Sequence, residues 1–261
     1  MSAFVFAPSD AKVEGGNPFA PDVFDYRART TFNYFHELIP DRRSLIDRLQ
    51  VVIGEAGDTE LEQVFGVGGI ERGVALAKNI YKSPLIAARK RYASGVLYQS
   101  MDFEGLPTGA QRRLLEDSVI VSGLFGLLRP DDLVPNYNLS MSACVPGLGS
   151  LVEYWKARIS PLLNQAFRNR FVWDLLPDSY RAAWDDDGSH KARALVRFHN
   201  FDGSICQDDL AYRGQLINYL VRETSAKLSA LSGWRHPAGF RLDEDLSELE
   251  GKVLNVVMTR R

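Results

Sequence analysis

The sequence predicts a mixed α/β protein, because short apolar strands alternate along the chain with segments of helical periodicity. Ala3 to Ala7, the β-branched run Val119 to Val121, and Phe171 to Leu175 are typical of buried strands. The predicted order is strand, long helical stretch, strand, helix, two strands, helix and strand, without an internal repeat. At 261 residues, the chain is longer than an ordinary domain of about 100–200 residues, so one large domain and two fused lobes are both allowed.

Helical periodicity marks the segments between these strands. We predict helices at Arg27 to Gln50 with a split at Pro40, Glu71 to Tyr81, Leu85 to Tyr92, Thr108 to Asp117, Leu151 to Phe167 and about Asp208 to Leu231. Two further strands are predicted at Ala192 to Phe201 and Val253 to Met258. Trp155 stands at helical spacing among apolar residues, so we expect it in the core. Gly214 lies on the buried face of the last helix, where glycine costs about 1 kcal/mol relative to alanine, so it indicates close approach of a neighbour or a ligand.

The composition excludes several classes of protein. Charged residues at 25% and hydrophobic residues at 45% exclude global disorder, and a net charge of −2 with a pI of about 6.1 limits nucleic-acid binding to a local patch. Cys144 and Cys206 match no metal-ligand spacing and no disulfide framework, so we expect reduced thiols, no metal and no cofactor. Neither a signal peptide nor a run of ~20 apolar residues is visible, so we expect a cytoplasmic protein without a membrane span. The sequence does not indicate an oligomeric state.

The stretch from Ser122 to Met141 has the composition of a functional site. Gly123 and Gly126 allow a sharp turn or a close approach of the backbone directly after a predicted strand. An Arg-Pro-Asp-Asp cluster that begins at Arg129 follows, and Tyr137 stands beyond a second proline. Polar groups at a strand end are typical of a binding or catalytic loop. The alternative is that Arg129 only pins the loop through a salt bridge, which is the better interpretation of such a cluster taken alone.

The same stretch resembles the pattern S-G-L-[YF]-G-x-L-R-P-x-D-x-x-x-x-Y-R-L-x-M of the YaaA-type peroxide-stress protein family. The residues that agree are Ser122, Gly123, Leu124, Phe125, Gly126, Leu128, Arg129, Pro130, Asp132, Tyr137, Leu139 and Met141. Asn138 departs from the pattern, because the family has arginine there. The resemblance implies the YaaA-like fold, a compact single unit over residues 1–261 with a central polar cleft and a helical insertion at roughly 27–116. A helix-hairpin-helix-like element has been described in that family.

Further segments are similar to the family. The N-terminal strand runs into a Pro-Ser segment that ends at Lys12, Tyr92 to Tyr98 is similar to a Y-x-G motif, Pro177 to Tyr180 resembles an S-x-x-Y turn, and Arg213-Gly214 matches a [KR]-G pair. The resemblance and these positions give the candidate ligand-binding residues Ser9, Lys12, Ser122, Arg129, Tyr137, Tyr180, Arg213 and Gly214. The candidate catalytic residues are Lys12, Asp132, Tyr137 and Asp174. Without the resemblance, Lys12 reads as a solvated loop charge, and the Tyr92 to Tyr98 segment reads equally well as core or as a ligand contact.

Three functional interpretations remain open at this stage. Family members limit peroxide damage and bind duplex DNA through a positively charged cleft, so the resemblance implies an anionic ligand in a cleft lined by Lys12, Arg129, Tyr137 and Arg213. The family is basic where this chain has Asp208, Asp209, Gln215 and Asn218, so we expect DNA binding to be weak and confined to a local patch. The alternative is an enzyme that uses the same cleft on a small nucleotide-like or other anionic substrate, although no known catalytic signature is present. In the third interpretation, the polar cluster only stabilises loops of a structural or partner-binding protein.

Overall fold

The computed structural model describes residues 2–17, 34–248 and 250–260. Its strands are β1 (Ser2–Phe6), β2 (Ile86–Ala87), β3 (Ser118–Ser122), β4 (Gly126–Leu128), β5 (Leu133–Val134), β6 (Cys144–Val145), β7 (Gly149–Ser150), β8 (Phe171–Asp174), β9 (Ala192–His199), β10 (Phe240–Leu242) and β11 (Val253–Arg260). Its helices are α1 (Ile39–Glu55), α2 (Asp58–Phe65), α3 (Ile70–Lys78), α4 (Ala88–Arg91), α5 (Val96–Met101), α6 (Thr108–Asp117), α7 (Leu151–Phe167), α8 (Asp178–Arg181) and α9 (Leu210–Arg222). The predicted mixed α/β class is confirmed.

Seven strands form the central sheet in the order β10-β11-β9-β8-β1-β3-β4. β1, β3, β8, β9 and β11 run parallel, whereas β4 and β10 are antiparallel strands at the two edges. All residues of β3 and β8 are buried, and so are four of the five in β1. Continuous burial of this kind is typical of parallel strands that are covered on both faces.

The carboxyl ends of β1 and β8 mark the point where the strand order reverses. The chain leaves β1 toward its neighbour β3 on one side, and it leaves β8 toward its neighbour β9 on the other side. In open α/β sheets, ligands bind in the crevice outside the carboxyl ends of the strands at such a switch point. A ligand site is therefore expected at the loops that follow β1 and β8.

Tertiary pairing overrides the helical pattern that the sequence shows at Leu85 to Tyr92. Ile86–Ala87 pairs with Leu133–Val134 in a small antiparallel ladder, and only the short helix α4 follows. The predicted last helix also differs, because it ends at Arg222. The predicted helix from Arg27 begins at Ile39 in the described chain, with Pro40 in its first turn. Residues 18–33, on which part of that prediction falls, lie outside the described residues.

Trp155 on α7 confirms the expectation of a core residue and explains both glycines of the motif. Its ring is fully buried, and Nε1 donates to the carbonyl of Gly123 at 2.7 Å. Gly126 has a φ of +68°, and a Cβ there would lie 2.8 Å from the Trp155 ring. A Cβ on Gly123 would lie 2.7 Å from the carbonyl oxygen of Leu139, so the two ends of the motif pack directly on each other.

Among the described residues, no helix is long and apolar enough to cross a membrane.

Candidate functional site

Lys12 is the buried cation of the loop that follows β1. Its residue is only 8% exposed, although its neighbours Asp10 and Ala11 are exposed. Nζ lies 4.4 Å from the ring centroid of Tyr137 and 5.8 Å from that of Tyr92. The ammonium group is therefore held against two aromatic rings at the carboxyl edge of the sheet.

The electrostatic surroundings of Lys12 favour loss of its proton. The pKa of Lys12 is lowered from 10.5 to about 8, chiefly by burial, and the positive charges of Arg72 and Arg91 lower it further. Asp10 acts in the opposite direction. Within the described parts of the chain, no carboxylate lies at ion-pair distance from Lys12. The site thus contains a buried cation that, among the described residues, has the nearby charge of Asp10 but no carboxylate at ion-pair distance.

Three hydroxyl groups form a chain beneath this cation. The Tyr137 hydroxyl is 2.6 Å from that of Tyr92 and 2.9 Å from the Ser122 hydroxyl. The Ser122 oxygen accepts from the backbone N–H groups of Leu124 and Phe125 at 3.3 and 3.2 Å. Burial raises the pKa of Tyr92 and of Tyr137, so both phenols are neutral donors. We call Lys12, Tyr92, Ser122, Tyr137 and Tyr180 the Lys12 cluster.

Tyr180 joins this cluster from the loop after β8. Its pKa is raised by burial and by the negative charge of Asp10, and its hydroxyl bonds to Ser140 and to the backbone of Met141. The N–H of Leu175, just after β8, donates to the carbonyl of Val5 in β1 at 2.9 Å, and Asp10 acts electrostatically on Lys12 and Tyr180 alike, so the loops after β1 and β8 are neighbours at the switch point. The structure therefore brings together Lys12 and Tyr180, two residues that the sequence places far apart.

The α4–α5 connection closes the cluster from a third side. The Tyr98 hydroxyl donates to the carbonyl of Ala7 at 3.0 Å, which fixes α5 against the end of β1. A Cβ on Gly95 would lie 2.0 Å from the Ser9 oxygen, so only glycine leaves room for the loop that carries Ser9. Ser9, a predicted ligand-binding residue, therefore lies against Gly95 in the α4–α5 connection. Tyr92 and Tyr98 are both buried, and Tyr92 also contributes a hydroxyl to the cluster.

Asp174 ends β8, Arg213 donates to the carbonyl of Leu176 just beyond that strand, and the charges of both side chains are already paired. Oδ2 of Asp174 accepts from Nε of Arg181 at 3.1 Å and from Nη2 of Arg193 at 2.6 Å, while Oδ1 accepts from the N–H of Leu176 at 2.9 Å. Arg213 donates through Nε and Nη2 to the carboxylate of Asp209 at 2.7 and 2.6 Å. Neither side chain is free to act as a base or an anion clamp in this arrangement.

Arg129 and Asp132 lie away from the Lys12 cluster because β4 runs back along β3. Nη1 of Arg129 donates to the carbonyls of Glu116 and Ser118 at 2.6 and 3.0 Å. Ser118 begins β3, whereas Ser122, which contacts Tyr137, ends it, and those four residue steps span about 13 Å at ~3.3 Å each. The structure therefore separates Arg129 from the rest of the predicted cleft.

Asp132 holds the same loop in place. Its carboxylate accepts from the backbone N–H of Arg129 at 2.7 Å and from that of Tyr34 at 2.9 Å. Burial raises the pKa of Asp132 to about 7, and these backbone hydrogen bonds oppose the shift. The carboxylate thus stabilises the turn that follows β4. This turn includes Arg129, whose side chain reaches the end of β3 opposite to the Lys12 cluster.

Gly214 is placed at a helix contact and not at a ligand. A Cβ there would lie 2.2 Å from the carbonyl oxygen of Leu97 and 3.0 Å from the backbone nitrogen of Met101. The glycine therefore allows α9 to pack on α5. The sequence predicts close approach of either a neighbour or a ligand here, and the structure shows a neighbouring helix. The ligand role for Gly214 has no support in this geometry.

Two cations near Lys12 escape sequence reasoning. Arg91 is fully buried and donates to the carbonyls of Val13, Gly15 and Pro84, the last at 2.7 Å. Arg72 is exposed on α3. The basic run that ends at Arg91 is a weak signal for the first, but no pattern in the sequence indicates that the charge of Arg72 acts on Lys12.

The α2–α3 pair forms a helical hairpin beside the cluster. Its connection runs from Gly66 to Gly69, where Gly66 and Gly68 have φ values of +82° and +74°. Val67 at the tip is 91% exposed. A Cβ on Gly69 would lie 3.3 Å from Nδ2 of Asn138, so the start of α3 packs on the segment that carries Tyr137. Within the described residues, no group of three His, Cys, Asp or Glu side chains is arranged to hold a metal ion.

Comparison with known proteins places the chain in a family. A family model described as peroxide stress protein YaaA matches residues 3–246. A UPF0246 protein of Streptomyces coelicolor is 37% identical over 159 residues, which are 57% of this chain and 60% of that protein. UPF0246 proteins of Corynebacterium glutamicum strain R and Corynebacterium efficiens are 30% and 28% identical over 232 residues, covering 83% and 87% of this chain and 84% and 86% of those proteins. The chain belongs to the YaaA peroxide-stress protein family.

Proposed function

We propose that this protein binds an anionic ligand at the Lys12 cluster. The observation that carries the proposal is the Lys12 ammonium group, which is buried without a carboxylate partner among the described residues. Buried charges in proteins are normally paired, because leaving one unpaired costs free energy. A ligand oxyanion would supply the missing partner.

The size of this cost indicates how much an anion could gain. A pKa shift from 10.5 to about 8 corresponds to about 3 kcal/mol of lost stabilisation of the charged amine. Contact with the rings of Tyr92 and Tyr137 offsets part of the burial, since such contacts contribute roughly 0.5–2 kcal/mol. The remainder is available to a ligand that neutralises Lys12.

Family resemblance makes duplex DNA the first ligand to consider. The α2–α3 hairpin supports this, because glycine turns at the start of a helix present backbone N–H groups that suit phosphate. Arg72, in the first turn of α3, adds a cation whose field reaches Lys12. Asn138 stands where the family has arginine, and Arg213 is paired with Asp209. Both features reduce the positive charge available to a duplex. We therefore expect DNA to bind weakly and with a shallow dependence on salt.

A small-molecule enzyme is the second candidate, and the burial of Lys12 favours it. A side chain that is only 8% exposed is reached more easily by a small anion than by the backbone of a duplex. A pKa of about 8 also leaves part of the amine unprotonated near neutral pH, as proton transfer or nucleophilic attack requires.

Fluorescence anisotropy with a labelled duplex at increasing KCl concentration tests the first candidate. The informative variants are Lys12→Ala and Arg72→Ala, with Lys78→Ala as the matched control, because Lys78 is an exposed cation at the far end of the same helix. We expect Lys12→Ala to weaken binding by roughly tenfold or more, as for loss of a charged hydrogen bond. Arg72→Ala should weaken binding of the duplex by up to about fivefold, and Lys78→Ala should leave it unchanged.

The salt dependence and a second ligand decide between the candidates. A log–log slope steeper than about −5, with tight binding at physiological salt, would show that the duplex contacts more cations than we propose. Binding of inorganic phosphate that depends on Lys12, without binding of the duplex, would favour the small-molecule enzyme. If neither ligand depends on Lys12, the cluster only stabilises loops and the proposal fails.

A further inference from the structure

We propose that Lys12 forms an imine with a small anionic carbonyl compound, an aldehyde or ketone that also carries a carboxylate or phosphate group. The geometry that points to this is an amine set against two aromatic rings, beside two further cations and without a carboxylate partner in the described chain. The inference rests on the proposed anion site and adds a reaction to it. No part of it follows from the family match.

The surroundings of Lys12 are those that activate a lysine as a nucleophile. An amine becomes reactive when it is desolvated in an apolar pocket or lies next to another cation, because both conditions favour its neutral form. Burial of the side chain, which is 8% exposed, provides the desolvation and outweighs the ring contacts, which favour the charged form. Arg91 provides a fixed cation, since its guanidinium is tied to the carbonyls of Gly15 and Pro84 at 2.9 and 2.7 Å and cannot turn away.

The reaction requires no group beyond the amine and the carbonyl compound. The lone pair of Nζ attacks the carbonyl carbon, a C–N bond forms, and the oxygen takes up a proton to give a carbinolamine. The C–O bond then breaks, the oxygen leaves as water with the two protons that the amine has lost, and a C=N bond remains. The burial that holds Lys12 at 8% exposure also limits the access of water to this bond.

The positive field near Lys12 determines the class of carbonyl compound. The positive charges of Arg72 and Arg91 both act on Lys12, so a carboxylate or phosphate on the substrate is attracted toward the amine. An uncharged aldehyde lacks this attraction. We therefore expect glyoxylate, a carboxylate aldehyde, to react faster than acetaldehyde.

Borohydride trapping with peptide mapping tests the proposal on the full chain. Glyoxylate or acetaldehyde is added, the imine is reduced to a stable secondary amine, and mass spectrometry locates the adducts. At pH 7.5 the neutral fraction of Lys12 is roughly 200-fold above that of a lysine with the ordinary pKa of 10.5. We expect Lys12 to be trapped by glyoxylate roughly tenfold or more faster than Lys78 and Lys82, which serve as internal controls, because nucleophilicity falls with pKa and offsets part of that difference.

The pH dependence and the choice of aldehyde sharpen the result. The rate of trapping at Lys12 should rise with an apparent pKa of about 8 and level off above it. Labelling of Lys12 at the rate of Lys78 would overturn the imine, and equal rates for glyoxylate and acetaldehyde would overturn the anionic substrate class. The proposed anion site fails by a separate measurement, namely phosphate or duplex binding that is unchanged in Lys12→Ala.

Discussion

Replacing Lys12 with methionine is expected to stabilise the protein near neutral pH while abolishing anion binding. Methionine has a similar length and no charge, so it fills the space against Tyr92 and Tyr137 without burying an ammonium group. The pKa of Lys12 falls from 10.5 in the unfolded chain to about 8 in the folded one, chiefly through burial. The unfolded chain therefore holds this proton more tightly, and the wild type gains stability as the pH rises from about 8 to 10.5.

The magnitude follows from the two pKa values. At about pH 6.5 both states are protonated, and the buried charge costs the wild type about 3 kcal/mol of unfolding free energy. At about pH 9.5 the folded amine has lost its proton while the unfolded one mostly keeps it, so the cost falls to about 1 kcal/mol. Lys12→Met should therefore exceed the wild type by about 3 kcal/mol at the lower pH and by about 1 kcal/mol at the higher one.

Urea denaturation of both proteins at the two pH values measures this difference. Other groups that titrate over the range affect both proteins equally, so they cancel in the comparison. Lys78→Met is the control, because its side chain is exposed and its replacement should leave no pH-dependent gap. A Lys12→Met protein that is no more stable than the wild type at the lower pH, or a gap that does not shrink with pH, would refute the claim that Lys12 is an unpaired buried charge.

Three further predictions concern side chains around the sheet. Arg129→Lys should lose one of two carbonyl contacts, which lowers the free energy of unfolding in urea by about 1–3 kcal/mol and leaves phosphate affinity unchanged. Normal stability together with weakened phosphate binding would instead place Arg129 in the ligand site. Gly214→Ala should cost about 1–3 kcal/mol, because its Cβ would lie 2.2 Å from the carbonyl oxygen of Leu97; a stabilised variant would contradict this contact. Asp174→Asn should lower the free energy of unfolding by about 3–5 kcal/mol, because Arg181 and Arg193 lose their shared carboxylate. A loss below about 1 kcal/mol in the same assay would show that these ion pairs are solvated.

The parts of the fold that the sequence predicts are those with a local cause. β1, β3 and β8 follow from β-branched or aromatic runs that are buried on both faces, and α6 and α7 follow from clear helical periodicity. Lys12 and Tyr180 could be named as candidate site residues from the family resemblance, and each also follows a predicted strand. Their meeting at one switch point depends on the strand order, which no local pattern contains.

Arg129 shows why the rest of the site could not be predicted. Along the chain it stands between Ser122 and Tyr137, and both of these belong to the Lys12 cluster. The tight turn at Gly123 to Phe125 sends β4 back along β3, so Arg129 arrives at the beginning of β3 instead of its end. A motif that is continuous in sequence is thus divided between the two ends of one strand. Only the direction of β4, which is three residues long, decides this.

Among the residues that the structure describes, the strongest functional signal is a buried lysine, Lys12, without a carboxylate at ion-pair distance. Arg213 and Arg181 each have a carboxylate within hydrogen-bond distance, so their burial is explained by the described protein itself. Lys12 is buried to a similar degree, and in the described part of the chain the negative charge that favours it is that of Asp10, an exposed loop residue. A sequence pattern can show that a lysine follows a strand, but it cannot show which charges fail to surround it. If Lys12→Met proves more stable near neutral pH, as we expect, the lysine costs the fold stability, and this result would support the proposed role of Lys12 in binding an anion.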